Sequence, residues 1–193
     1  MAEILPLRRR NRLAAMRAVQ AAAVGMFESD GFDTTTVDDV AARSGVSAST
    51  IYRHFGTKEA LVLWDERDEV VESELATRLA TQAPVEAFRD AMVVAFGARN
   101  DTDLFVRRLR LIYSEPAIWG AAAQRDRVDR RELADAFAAV DGRSQVGVQD
   151  TLTAAVCLAA LDVAFEQWQQ DPSEGDLAGV IVDAVDRVRG NGT

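Results

Sequence analysis

Residues 34–61 read TTTVDDVAARSGVSASTIYRHFGTKEAL, and this segment is the most informative about the structure of the N-terminal part of the chain. Thr36 is a favourable N-cap for a helix, and Asp39 three residues later completes a capping box. Gly45 follows that helix where the backbone must turn sharply, a conformation that glycine adopts without steric cost. Ser47 caps the next helix. Two short helices joined by a tight glycine turn predict a helix-turn-helix.

The exposed face of the second helix favours duplex DNA as a partner. With Val46, Ile51 and Phe55 directed inward, the remaining side chains face outward or sideways. Short side chains at the N-terminal end of such a helix let it enter the major groove, where that end meets the base edges. Tyr52 and His54 carry groups that can hydrogen-bond to phosphate oxygens. A solvated surface role is the alternative for each of these polar residues taken singly.

Lys58, the only lysine of the chain, supports the same interpretation. Thr57 is a predicted N-cap of the fourth helix, which places Lys58 in its first turn, where a cation opposes the helix dipole. A docked phosphate would remove that conflict, because the amide donors, the dipole and the ammonium group all favour an anion. We therefore expect Lys58 to contact the DNA backbone.

The rest of the chain also has helical periodicity, and we predict an all-α protein of about nine helices. Strand-length alternation of apolar and polar residues is scarce. The predicted helices span residues 9–29, 37–43, 48–55, 58–79, 85–98, 103–114, 119–140, 149–169 and 177–189. We place a helix-turn-helix DNA-binding domain at residues 1–57 and a helical ligand-binding and dimerisation domain at residues 58–193.

Composition restricts the class of protein. The 193 residues are 48% hydrophobic and 27% charged, which is ordinary for soluble globular domains. The single cysteine, Cys157, excludes an intramolecular disulfide, and with the single histidine, His54, it leaves no zinc-finger spacing. No apolar run approaches the roughly 18 residues that span a bilayer. At the N-terminus the basic residues follow a very short apolar stretch, whereas in a secretory signal they precede the apolar segment. We expect a soluble cytoplasmic protein without membrane, metal or cofactor.

Charge is unevenly distributed along the chain. The net charge is −9, yet residues 1–58 hold eight basic and six acidic side chains, a net charge of +2. The remainder holds 14 basic and 25 acidic side chains, a net charge of −11. This asymmetry suggests an anion-facing end attached to a body that the same anion would repel. A random distribution of charged residues explains the difference in net charge between the two segments equally well.

Large apolar residues recur in the middle helices and predict a ligand pocket. Pockets between bundled helices are lined by such side chains with a few polar anchors. The candidate lining residues are Trp64, Phe88, Met92, Phe96, Phe105, Leu109, Ile112 and Trp119. Arg108, Glu115, Asn100 and Gln124 are candidate anchors. Core packing is the more common role for residues of this kind, and the acidic excess weakly favours a neutral or cationic ligand.

The last two long helices carry narrow apolar stripes. The stripe residues are Leu152, Val156, Ala159 and Val163 in one helix and Leu177, Val180, Ile181, Ala184 and Val188 in the other. Small side chains permit close helix approach, so two such helices from each subunit would form a four-helix interface about a two-fold axis. Packing within one subunit is the alternative.

Two other functional classes compete with DNA binding. An enzyme is disfavoured because the chain has no Gly-rich phosphate loop, no Glu-x-x-His metal motif and no Ser-His or Cys-His pair beyond chance. We therefore predict no catalytic residues. The second competitor is a helical ligand-binding or adaptor protein whose helix-turn-helix no longer binds DNA.

The pattern TVxxVAxxxGVS at residues 36–47, followed by IYRHFGTKxxL at residues 51–61, resembles the DNA-binding domain of TetR-family (tetracycline-repressor-like) transcriptional regulators. The detailed likeness covers roughly residues 10–61, about a quarter of the chain. It implies an all-α homodimer whose paired helix-turn-helix units bind a palindromic operator on double-stranded DNA. It also implies a small-molecule ligand that releases the DNA, with repression as the usual outcome. Independently of the resemblance, the 21 arginines against one lysine and the heavy use of alanine suggest a GC-rich bacterial genome.

The resemblance also assigns roles residue by residue. Ser49 and Thr50 fall where the family reads bases, whereas Ala48 offers only apolar contact where many members have a polar reader. The predicted DNA-contacting residues, including those that fall where the family grips phosphates, are Thr36, Ser47, Ala48, Ser49, Thr50, Tyr52, Arg53, His54 and Lys58. The arginines at positions 8, 9, 10 and 12 form either a DNA-binding arm or a solvated terminus.

Overall fold

The computed structural model describes residues 7–97, 102–172 and 176–190, and within these ranges it contains helices, turns and loops but no strand. The helices are α1 (Leu7–Asp30), α2 (Val37–Ser44), α3 (Ala48–Phe55), α4 (Ala60–Leu63), α5 (Asp68–Leu79), α6 (Pro84–Gly97), α7 (Thr102–Ser114), α8 (Pro116–Val140), α9 (Val148–Gln170) and α10 (Leu177–Gly190). The all-α prediction is confirmed, with ten helices in the described ranges instead of about nine.

The predicted fourth helix, residues 58–79, is in fact two helices. Trp64 leaves the helical conformation with a ψ of 130°, which ends α4. The Asp65 carboxylate then accepts a hydrogen bond from the backbone N–H of Arg67 at 3.0 Å. Such local side-chain bonds compete with helical hydrogen bonding, because they offer the backbone another partner. The chain therefore restarts as α5 at Asp68.

Contacts divide the chain into two compact units. The first unit comprises Met1–Trp64 and Asp103–Ala122, and the second comprises Asp65–Thr102 and Ala123–Thr193. The first unit thus combines the helix-turn-helix with most of α7 and the start of α8. The domain boundary between residues 57 and 58 stays a prediction.

One hydrophobic core holds the first unit together. It is formed by apolar side chains from α1 to α4, with Leu111 of α7 and Ile118 of α8 completing it. Phe27 of α1 packs edge-on against Phe32 with ring centroids 5.0 Å apart. Helix α7 belongs to the same unit as the helix-turn-helix because its buried Leu111 shares this core with side chains of α1 and α4.

Two buried polar side chains hold the last turn of α4. Gln20 Nε2 of α1 donates to the carbonyl oxygens of Leu61 at 3.0 Å and Trp64 at 2.8 Å. Arg108 of α7, only 5% exposed, donates from Nε to the carbonyl oxygen of Val62 at 2.7 Å. The final carbonyls of a helix lack partners inside the helix. We call this arrangement the α4 clamp.

The second unit is built around α6. Ala87, Phe88, Ala91 and Met92 of α6 are buried, and Phe96 lies edge-on to Phe165 of α9 with ring centroids 5.3 Å apart. An ion pair of 2.8 Å joins Arg89 of α6 to Asp186 of α10. The helices α5, α9 and α10 all contact α6, so α6 is the central helix of this unit. Cys157 of α9 is buried.

A charged cluster fastens the start of α9. The Asp150 carboxylate accepts hydrogen bonds from the Arg143 guanidinium at 2.6 and 2.8 Å and from the Gly147 N–H at 2.7 Å. These hydrogen bonds, with that from Arg143 the largest effect, lower the pKa of Asp150 to about 2. The carboxylate thus satisfies the N–H of the N-cap residue before α9, as the acidic residue of a capping box does.

The cluster predicts a pH dependence of stability between pH 4 and pH 2. A carboxyl whose pKa is lowered in the folded state stabilises the fold fully above its unfolded pKa, and this contribution is lost as the pH falls through the folded pKa. We expect the thermal midpoints of wild type and Asp150→Asn to differ above pH 4 and to converge towards pH 2. Parallel midpoint curves over that range would contradict this role of Asp150.

Within the described residues, α9 is long and apolar enough to cross a membrane, with a mean hydropathy of 1.5. The expectation that no run approaches a membrane span was therefore too strong. Core helices of soluble proteins meet the same criterion, and about 28% of this stretch is buried. Of its exposed large apolar side chains, Val156 and Val163 line the groove described below, whereas Val148 and Leu152 lie outside its lining.

Candidate nucleic-acid interface

The turn before α2 and the turn after it have the predicted geometry. Thr36 Oγ1 accepts a hydrogen bond from the Asp39 N–H at 3.2 Å, and the Asp39 carboxylate accepts one from the Thr36 N–H at 2.9 Å. The hydrogen bond from the Thr36 side chain is the main reason that the pKa of Asp39 is lowered. Gly45 has a φ of +73°, a left-handed conformation that glycine adopts readily. The predicted capping box and glycine turn are confirmed.

Helix α3 presents one buried face and one exposed face. Ile51 and Phe55 are buried. Tyr52 is 53% exposed, and Arg53 and His54 are also exposed. Helix α3 therefore has the exposed face that the sequence predicts. Val46, which was expected to point inward, is half-buried instead of fully buried.

The hydroxyl groups at the start of α3 form a local network. Ser47 Oγ accepts a hydrogen bond from the Thr50 N–H at 3.3 Å and donates one to Thr50 Oγ1 at 2.9 Å. Ser49 Oγ lies 3.2 Å from Ser47 Oγ, with either hydroxyl as the donor. Ser49 is exposed, whereas Ala48 and Thr50 are half-buried. The network fixes the orientation of these small side chains at the end of the helix that is predicted to meet base edges.

Lys58 has partners that the sequence did not predict. Its Nζ donates to the carbonyl oxygens of Phe32 at 2.7 Å and Thr35 at 3.2 Å, and it lies 4.1 Å from the centroid of the Phe32 ring. Thr57 Oγ1 does accept a hydrogen bond from the Ala60 N–H at 3.2 Å. Because α4 begins at Ala60, the expectation that Lys58 lies in the first turn of this helix is wrong.

The consequence is a structural role for Lys58 in the helix-turn-helix. An ammonium group has three donors, so two carbonyl partners leave one donor for a phosphate. Lys58 joins the turn after α3 to the connection between α1 and α2. Its phosphate contact stays a prediction, as do the DNA contacts of Thr36 and the other residues of the predicted set. Arginines 8, 9, 10 and 12 lie in the first turns of α1.

Family comparisons identify the class of protein. The family model described as bacterial regulatory proteins of the tetR family matches residues 20–63, and the model described as the MftR C-terminal domain matches residues 82–191. The chain belongs to the TetR family. It is therefore a DNA-binding transcriptional regulator, and the helix-turn-helix described above is the DNA-binding element of this TetR-family regulator.

Individual relatives cover most of the chain at low identity. The mycofactocin biosynthesis regulator named MftR, from Mycobacterium tuberculosis, is 21% identical over 167 residues, covering 85% of this chain and 84% of MftR. The structure of SmeT of Stenotrophomonas maltophilia with triclosan aligns at 18% identity with a TM-score of 0.60, covering 92% of this chain and 91% of SmeT. Thermus thermophilus FadR with lauroyl-CoA aligns at 21% identity with a TM-score of 0.54, covering 92% and 95%. The structural likenesses show a shared fold.

The predicted ligand-contacting residues of this TetR-family regulator divide between the two units. Phe88, Met92 and Phe96 are buried in the second unit. In the first unit Phe105 and Leu109 are buried, and Trp64 and Ile112 are half-buried. Trp119 is 47% exposed, and its ring centroid lies 5.7 Å from that of Tyr113. Their role in ligand binding stays a prediction.

The four predicted anchors have different environments. Arg108 holds backbone carbonyls in the α4 clamp. Glu115 is half-buried and Gln124 is exposed, while Asn100 lies outside the described residues. No group of three or more metal-ligating side chains occurs in the described ranges.

An open groove of about 610 Å³ lies between α9 and α10 in the second unit. Six of its lining residues belong to the predicted stripes: Val156, Ala159, Val163, Val180, Ala184 and Val188. Leu177 and Ile181 of the predicted stripe are instead buried in the core, because they lie on the face of α10 that turns away from the groove. The groove also includes Asp183 and Arg187, which the apolar pattern could not reveal.

Proposed function

We propose that this protein is a ligand-responsive repressor that binds a palindromic operator as a homodimer. The observation that carries the proposal is the exposed face of α3, held by buried Ile51 and Phe55 in a helix-turn-helix of the TetR family. Small side chains at Ala48, Ser49 and Thr50 enter the major groove. Tyr52, His54 and the free donor of Lys58 bind phosphates and set the register.

The proposed dimer forms through the groove between α9 and α10. Its exposed valines would be covered when a second copy packs against the same surface, which is the isologous arrangement of a two-fold dimer. Two recognition helices on one frame then have to match successive major grooves, about 34–36 Å apart. This requirement explains how a change in their separation can release DNA.

The proposed ligand is an apolar small molecule bound between helices. SmeT has been solved with triclosan and FadR with lauroyl-CoA, and both of these proteins share the fold of this chain. Aromatic and aliphatic side chains line such pockets, which makes Phe88, Met92 and Phe96 of α6 the first candidates. Coupling between ligand and DNA of about 1–3 kcal/mol is enough for regulation. The proposal places the protein in the cytoplasm and includes no enzymatic step.

The test is selection of bound sites from random duplex DNA by the purified full-length chain. We expect a palindrome whose half-sites are one or more helical turns apart. If each subunit makes about four phosphate contacts, the logarithm of the affinity should fall with the logarithm of the salt concentration with a slope of about −7. A slope near zero, or enrichment of no palindrome, would refute the proposed function.

A further inference from the structure

The valines and alanines that line the groove between α9 and α10 follow an order that is the same in both chain directions. On α9 the order is Val156, Ala159, Ala160 and Val163, and on α10 it is Val180, Ala184 and Val188. On α10 the two valines flank Ala184, and on α9 Val156 and Val163 flank the two alanines, with the polar Gln167 one turn beyond Val163. The centres fall between residues 159 and 160 on α9 and at residue 184 on α10.

Such a pattern fits a second copy of the same chain. A two-fold axis perpendicular to a helix places that helix antiparallel to its copy, so positions equally far on either side of the axis face each other. Alanine at the axis allows close approach of the helices, and the valines then meet valines on both sides. The pattern therefore places the axis next to Ala160 and Ala184.

A charge pair on α10 is centred one residue from Ala184. Asp183 and Arg187 are exposed, line the groove and stand four residues apart. Neither makes an ion pair or hydrogen bond within the described part of the chain. Their midpoint is residue 185, one residue or about 1.5 Å along the helix from Ala184. Antiparallel pairing about this point brings each aspartate opposite the arginine of the other copy.

We propose that Asp183 and Arg187 form two reciprocal ion pairs across this axis and make the interface selective for the chain's own copy. The inference rests on the proposed homodimer and adds the position of its axis and the residues that choose the partner. Exposed ion pairs add little affinity, but opposed like charges penalise a wrong partner. A chain that lacks the matched pair is thereby rejected.

Charge reversal tests the pairs in the full-length chain. Asp183→Arg places two arginines opposite each other at two places in the dimer, and Arg187→Asp does the same with two aspartates. We expect at least a tenfold increase in the dimer dissociation constant for each single variant, measured by sedimentation. The variant with both changes should return to within about threefold of wild type. An equimolar mixture of the two single variants should give the heterodimer as the main species in native mass spectrometry.

The matched control is Asp135→Arg, a charge reversal at an exposed position of α8 outside the groove lining, which should leave the dissociation constant unchanged. A monomeric wild-type chain would overturn the proposed homodimer and the inference with it. A dimeric wild type with unaffected single variants and a statistical mixture would overturn the ion pairs while the homodimer stands. Folded single variants that dissociate but are not restored by the double change would also overturn the pairs.

A crosslink tests the axis independently of the charges. Ala184→Cys places a thiol at the axis, and we expect a disulfide-linked dimer under mild oxidation. Val94→Cys, at an exposed position of α6, should give none at the same protein concentration. The native Cys157 is buried and can be left in place. A dimer in which Ala184→Cys fails to crosslink would overturn the proposed position of the axis.

Discussion

Tyr52→Ala is expected to lower the affinity of the homodimer for its operator by about 100-fold while the fold stays intact. A hydrogen bond to a charged group contributes about 1.5 kcal/mol or more. The loss occurs in both subunits, so it totals about 3 kcal/mol, and each 1.4 kcal/mol is a factor of ten. Tyr52 is 53% exposed, so its removal leaves no cavity. Fluorescence anisotropy with the selected duplex at fixed salt measures the effect.

Two further variants show which part of Tyr52 matters. Tyr52→Phe removes only the hydroxyl group, and we expect it to account for most of the loss. Val94→Ala truncates an apolar side chain of similar exposure on α6 and should bind the duplex as wild type does. Unchanged affinity in Tyr52→Ala would show that the exposed face of α3 is not the DNA-binding surface.

Arg108→Met is expected to destabilise the protein by about 3 kcal/mol, because a buried donor to the α4 carbonyls is lost. Methionine preserves much of the side-chain volume, so the effect reports the lost hydrogen bonds and not a cavity. The carbonyl oxygen of Val62, 2.7 Å from Arg108 Nε, would have to be buried without this partner. Urea unfolding of the full chain, followed by circular dichroism, measures the change.

Arg110→Met is the matched control for Arg108→Met. Arg110 lies on the same helix but is exposed, and exposed substitutions usually change stability by less than about 0.5 kcal/mol. Equal unfolding midpoints for the two variants would show that the α4 clamp contributes nothing to the fold. A loss confined to Arg108→Met would locate the contribution in the buried hydrogen bonds.

The features that could be predicted from sequence depend on interactions between near neighbours. The capping box of Thr36, the left-handed turn at Gly45 and the Ser47 cap each involve residues within four positions of one another. Helical periodicity likewise identified the longer helices to within three residues at their ends. These rules act locally, so the order of residues contains the information that they need.

The features that sequence did not predict depend on residues far apart in the chain, or on side chains that compete with the helix for backbone hydrogen bonds. The break between α4 and α5 follows from the Asp65 side chain taking the Arg67 N–H, which periodicity cannot weigh against a continuing helix. The carbonyl partners of Lys58 lie 23 and 26 positions earlier in the chain. No local pattern predicts them.

The sequence pattern on α10 did not distinguish the residues that line the groove from those that are buried in the core, and the reason is geometric. Residues 177 and 181 and residues 180, 184 and 188 follow the same four-residue spacing, and the two rows lie side by side on the helix. Both rows are apolar, so the pattern merges them into one face. Tertiary packing separates them, burying Leu177 and Ile181 and leaving the other row in the groove.

The packing of α7 and α8 into the core that contains α4 has consequences for co-translational folding and for the design of fusion proteins. Arg108, Leu111 and Ile118 complete the unit that contains the recognition helix. A nascent chain that has emerged only as far as Trp64 therefore lacks part of that unit's core. The helix-turn-helix cannot be separated from α7 and the start of α8 without losing part of its core. A fusion designed to borrow its DNA specificity has to carry residues 103–122 along with the first 64.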